Sequence, residues 1–171
     1  MVNIFCTKKL EGFVETKERT LESYTSDNNW NGQLISVDRR KCLFFVHKQT
    51  LYSILLLDIL KKDLLNLDNL FFNCLIDQLK LDNLYKPQLD HHLKENYSTL
   101  NLFKTDNDQS TLSALRDGIT RLNSSIEDEP DKIIAANKYL ESRLNTIPLK
   151  MKKFHYAKEI MELELKNHIS Q

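Results

Sequence analysis

WNGQLISVDRRKCLFFVHKQTLYSILLLDIL, residues 30–60, is the stretch around which the chain is organised. Three runs rich in β-branched, aromatic and aliphatic residues, Trp30–Val37, Lys41–His47 and Leu51–Leu57, are separated by short polar breaks at Asp38–Arg40 and Lys48–Thr50. Runs of this kind joined by such short breaks predict a three-stranded meander. The first run alternates, with Ile35 and Val37 on one face and Leu34 and Ser36 on the other, as in a strand with one face near water. Cys42-Leu-Phe-Phe-Val46 and Ile54-Leu-Leu-Leu57 are continuous apolar runs instead, the pattern of strands covered on both faces. The rest of the chain must therefore supply cover.

Downstream, apolar residues at 64, 67, 71, 75 and 79, widened by 72 and 76, predict a helix over Asp63–Leu84. Pro87 opens a short helix through Lys94 with Leu89 and Leu93 inward. Thr99–Lys104 alternates as a strand, and a polar loop, Thr105–Ser110, precedes Leu112, Leu115, Ile119, Leu122 and Ile126 at helical spacing. After the acidic break Glu127–Asp131, Ile133, Ala136, Leu140, Leu144 and Ile147 form another stripe before Pro148, and a last helix carries Ala157, Ile160, Met161 and Leu165. Upstream, Val2–Cys6 reads as a strand and Thr7 as the cap of a short helix bearing Leu10, Phe13 and Val14, followed by an irregular or partly helical connection over Glu15–Asn29. The expected fold is α+β in a single domain over 1–171. A mainly antiparallel sheet, the meander 30–57 plus strands near 2–6 and 99–104, is covered by several α-helices. Phe44, Val46, Ile54 and Leu56 should be buried, with Phe71 and Leu75 from the long helix.

Lys and Arg (24) balance Asp and Glu (24), so no global field draws the chain to nucleic acid or an anionic surface, and any such binding is local. Cys6, Cys42 and Cys74 are far apart in apolar surroundings and read as buried free thiols. The N-terminal MVNIFCTKKL lacks the apolar core of a signal peptide, and no apolar run reaches the ~18 residues that span a bilayer, so a soluble cytoplasmic protein with no membrane association is expected. In that compartment the glycosylation-type triplets at Asn96 and Asn123 are chance matches. His91 and His92 are adjacent and point apart on a helix, a poor arrangement for one metal. No metal and no cofactor is nominated and no catalytic constellation stands out, since Gly-flanked serine elbows, HExxH, CxxC and phosphate-loop patterns are all absent from the sequence.

The residues nominated for chemistry are cations at predicted strand ends. Lys8 and Lys9 follow the first strand and lie in a helix's first turn, where positive charge opposes the helix dipole unless an anion sits nearby. Arg39 and Arg40 occupy a tight turn, and Lys104 closes a strand. If the five converge, they form an anion site with Trp30 and Ser110 at its edge and Asp117 as an acid or base. Trp30 has a second reading, as a plug at one end of the core. Near the C-terminus, Lys150, Lys152, Lys153 and Lys158 surround Phe154 and Tyr156, a mixture that fits nucleic-acid contact or a merely solvated face.

Several short strings carry a resemblance: Thr7-Lys-Lys-Leu10, Trp30 with Leu34-Ile35, Asp38-Arg-Arg-Lys-Cys-Leu43, Thr50-Leu-Tyr52, Lys104-Thr105 with Ser110 and Leu112, and Arg143-Leu-Asn145 with Pro148. Together they resemble an uncharacterised bacterial domain family of small proteins without an assigned activity. Where that pattern implies an Arg before the serine, a Gly in the next helical turn and an Asn-Asp pair, this chain has Gln109, Ser113 and Arg116-Asp117. Three functional readings stand. One is a non-catalytic protein that docks a protein partner, in an accessory, antitoxin-like or immunity-like role. Another is an anion-binding protein or enzyme acting on a nucleotide, nucleic acid or phosphorylated ligand. The third is a structural or self-assembling role.

Overall fold

The computed structural model of the chain describes residues 1–18, 28–146 and 156–169. The meander forms as read: β2 (Asn29–Val37), β3 (Arg40–His47) and β4 (Ser53–Leu56) pair antiparallel in sequence order. Val37 pairs with Arg40, which leaves Asp38 and Arg39 as a two-residue hairpin loop, both left-handed at φ 47° and 64°. That geometry matches the twist of the flanking strands and normally selects Asn-Gly or Asp-Gly. Here an arginine holds the second position.

The two outlying strands extend the sheet on its other side. β1 (Val2–Cys6) pairs with β2 and β5 (Leu100–Lys104) pairs with β1, both in parallel, giving the order β4-β3-β2-β1-β5. The α+β class holds, with an antiparallel meander and a parallel flank. β5 is an edge strand.

Both faces of the meander are covered, which is why β3 and β4 are apolar without alternation. On one face Leu43, Phe45, Ile54 and Leu56 join Val2, Ile4 and Trp30 beneath α2 (Leu67–Leu81), α3 (Asp90–Tyr97) and α6 (Ala157–Ile169), which contribute Phe71, Leu75, Leu93, Met161 and Leu165. On the other face Cys42, Phe44, Val46 and Leu55 meet Leu115 and Leu122 of α4 (Gln109–Ile126) and Ala136 and Tyr139 of α5 (Lys132–Ser142). The expected core residues Phe44, Val46, Ile54, Leu56, Phe71 and Leu75 are all buried, divided between these two layers. Gly118 lets α4 lie close to the sheet, since a Cβ there would stand 2.8 Å from the Phe44 ring.

Helix limits depart from the stripes where side chains divert the backbone. The segment expected to be helical from Asp63 starts as a 3-10 turn, Lys61–Asn66, at whose start the Asp63 carboxylate accepts the Leu60 N–H at 2.8 Å. α2 is followed by left-handed Asn83, with the Leu84 N–H returned to the Leu79 carbonyl. A 3-10 turn, Pro87–Leu89, precedes α3. α5 stops at Ser142 although the stripe runs on, and Asn145 turns away to bond β4. Thr7 precedes α1 (Lys8–Glu11) without a side-chain cap bond. Ile147, Pro148, Lys150, Lys152, Lys153 and Phe154 lie outside the described residues.

Candidate functional site

The parallel register places Lys8 and Lys9, just after β1, near Lys104, which pairs with Cys6 at the end of β5. All three side chains are exposed. The carboxylates at the same rim are Glu11, which accepts the Thr105 N–H at 2.9 Å, and Glu18, which pairs with Lys104 and raises its pKa through hydrogen bonding and charge. Arg39 and Arg40 lie apart from this group. β2 continues from Gly32, the partner of Cys6, to Val37 before the hairpin turns, and β3 is separated from β5 by β2 and β1. Strand spacing and rise put the Arg40 and Lys104 backbones roughly 20 Å apart. Arg40 pairs with Asp58 at 2.7 Å. Trp30 is fully buried, edge-on to Phe71 at 5.3 Å, with its indole N–H donated to Asn28. Ser110 and Asp117 are exposed on α4, where the Ser110 N–H donates to the Asp108 carboxylate that caps the helix.

A polar layer that periodicity does not reveal lies on the face of the parallel flank. Asn29, Asn3 and Asn101 stand side by side on β2, β1 and β5, bonded in series from Asn101 to Asn3 at 3.4 Å and from Asn3 to Asn29 at 3.2 Å. On the next rung, Asn31 donates to Asp106, whose other oxygen pairs with Lys48, and the Lys48 ammonium also sits 4.8 Å from the Phe5 ring centre. Lys48 reaches Asp108 at 3.4 Å as well. Burial alone would raise the Asp108 pKa, but the Thr111 hydroxyl and the Lys48 charge outweigh it and hold the carboxyl below its ordinary value. Nearly all these groups have partners, so the layer fastens the strap between β5 and α4 to the sheet.

A cleft lies on the opposite face, beside the edge strand. It opens between Gly12–Glu15, which follows α1, and Lys61–Asp68, with a volume of about 610 Å³. Leu100 and Leu102 line it from β5, Phe13 and Val14 from one side, and Leu64, Leu65 and Leu67 from the other. Its volume lies in the range of preformed binding cavities, roughly 300–1,000 Å³. Leu65 is 95% exposed and Leu60, just before the 3-10 turn, is 51% exposed. The outward backbone groups of β5 are partly committed: the Leu100 N–H goes to Asp68, and Lys17 takes the Leu102 carbonyl and the Lys104 N–H. The edge is thus partly occupied by the chain's own groups, and the cleft beside it is lined by side chains. Its charged lining, Lys61, Glu15 and Asp68, contains no nucleophile held by a base. Sequence reading assigned most of the cleft residues to elements but not to a common site, although one signal was present: Leu65 is an apolar residue off the helical stripe.

No group of three metal-ligating His, Cys, Asp or Glu side chains occurs among the described residues, and none of the described helices is long and apolar enough to cross a membrane. Burial pushes the Cys6 and Cys74 thiols up to about 12, so neither is a ready nucleophile.

No curated protein and no solved structure matches the chain. A family match does extend over residues 3–160, and the chain belongs to that family, described as a domain of unknown function (DUF6933).

Proposed function

From this membership, which brings no activity with it, we propose that the chain is a non-catalytic binding protein of the bacterial cytoplasm. It acts by docking a protein partner, in an accessory, antitoxin-like or immunity-like role, through the cleft beside β5. The observation that carries the reading is the pairing of an open cleft, walled by leucines among charged residues, with Leu65, a leucine 95% exposed on its lip. An apolar side chain left in water beside an open cavity gains free energy when a partner covers it, about 1.5–3 kcal/mol for a fully buried leucine. Ile134 and Leu163 are also exposed, but neither lines this cleft.

Native mass spectrometry of the protein isolated from its source cells tests the proposal. The expected spectrum contains a protein companion that disappears when Leu65→Glu is isolated in the same way. A small-molecule adduct with no protein companion would count against docking.

A second reading keeps one observation in its favour. Lys8 and Lys9 are exposed and form no ion pair among the described residues, which suits an anion such as a nucleotide, a nucleic acid or a phosphorylated ligand. Glu11 and Glu18 at the same rim weaken the local field, which is why docking is preferred.

A further inference from the structure

We propose that the partner seated in the cleft is a second copy of this chain, arranged about a two-fold axis, an inference that rests on the docking reading above and assigns any accessory, antitoxin-like or immunity-like role to the resulting dimer. A two-fold interface uses the same patch twice, so the patch must complement itself in shape and in charge. The cleft meets both conditions. Leu65, 95% exposed, lines the same cavity as Leu100 and Leu102, so one patch carries a knob and a hole, and the proposed two-fold contact seats each Leu65 against the other copy's Leu100 and Leu102. Lys61 stands on the 3-10 turn on one side, and Glu15 on the segment after α1 on the other. Both are exposed, and neither forms an ion pair among the described residues. Rotation sets each Lys61 towards Glu15 of the second copy. The formal net charge of zero adds no long-range repulsion between two copies.

Sedimentation velocity over micromolar to hundred-micromolar concentrations tests the inference. The wild type should sediment as a dimer, and Leu65→Glu should weaken association by at least about a hundredfold, since two leucine contacts are lost per dimer. At concentrations low enough for both to be monomeric its thermal transition should match the wild type's, because the side chain is exposed in the single chain, whereas at higher concentration the wild type should gain melting temperature and the variant should not. Lys61→Glu and Glu15→Lys should each weaken the dimer, and the double variant, which restores both cross-contacts with reversed signs, should recover it. A wild type that stays monomeric throughout, or a dimer indifferent to Leu65→Glu and to both charge changes, would overturn the self-association. A monomer that still holds a different protein through Leu65 would overturn it too while leaving the docking function intact. Loss of every protein companion from the cleft would remove both.

Discussion

The Asn145 side chain accepts the Ser53 N–H at 2.8 Å and donates to the Ser53 carbonyl at 3.0 Å, filling the place of a strand beside the edge strand β4. It also donates to Asp82, whose same oxygen receives the Tyr52 hydroxyl and the Gln78 amide. The Arg143-Leu-Asn145 string therefore has a structural meaning: it ends a helix and seals a sheet edge. Asn145→Ala should cost about 2–3 kcal/mol, because buried backbone groups of Ser53 lose their partners, and urea unfolding of the purified variant would measure it. The buried thiols supply a pH dependence. Cys6 and Cys74 ionise near 9 when unfolded but are pushed to about 12 in the fold by burial. Their pKa is raised in the folded state, so their contribution is fully present below pH 9 and is lost as pH rises from 9 towards 12. Unfolding free energy should be flat from pH 7 to 8.5 and then decline, more steeply in the wild type than in Cys6→Ala/Cys74→Ala.

Elements whose apolar spacing is regular were legible from sequence, and the meander and the main helices stand where their periods put them. What periodicity could not supply is the joinery between elements, since it depends on single polar side chains. Lys48, in the turn after β3, and Asp106, in the strap before α4, are both ordinary loop residues in sequence. In the fold they form an ion pair with the Asp106 side chain only 3% exposed. Lys48→Met should destabilise by about 3 kcal/mol, because the carboxylate is left without its countercharge. Lys48→Met combined with Asp106→Asn should recover much of that loss, and thermal melts of the two variants would show it. If the single and double variants melt together, the pair is not what holds α4's N-terminal strap to the sheet.

Across the whole molecule, strand order was the missing quantity. Nothing in the local pattern says that β1 and β5 join the meander in parallel. On that arrangement depend both the distance between Arg40 and Lys104 and the edge position of Leu100 and Leu102. The cations could be nominated from their places at strand ends, whereas the cleft arises only when the Gly12–Glu15 segment, the Lys61–Asp68 stretch and β5 meet. The two surfaces make opposite forecasts. Lys8→Ala/Lys9→Ala should leave heparin retention at low salt, where exposed charges act most strongly, within twofold of wild type; a severalfold loss would favour the anion reading. Docking at the cleft is tested most directly by photo-cross-linking in the source cells, with a benzophenone side chain at position 65 and a control at exposed Arg116 on α4. The account predicts a cross-linked protein adduct of defined mass from position 65 and none from position 116. Equal labelling from both positions, or none from position 65, would contradict it.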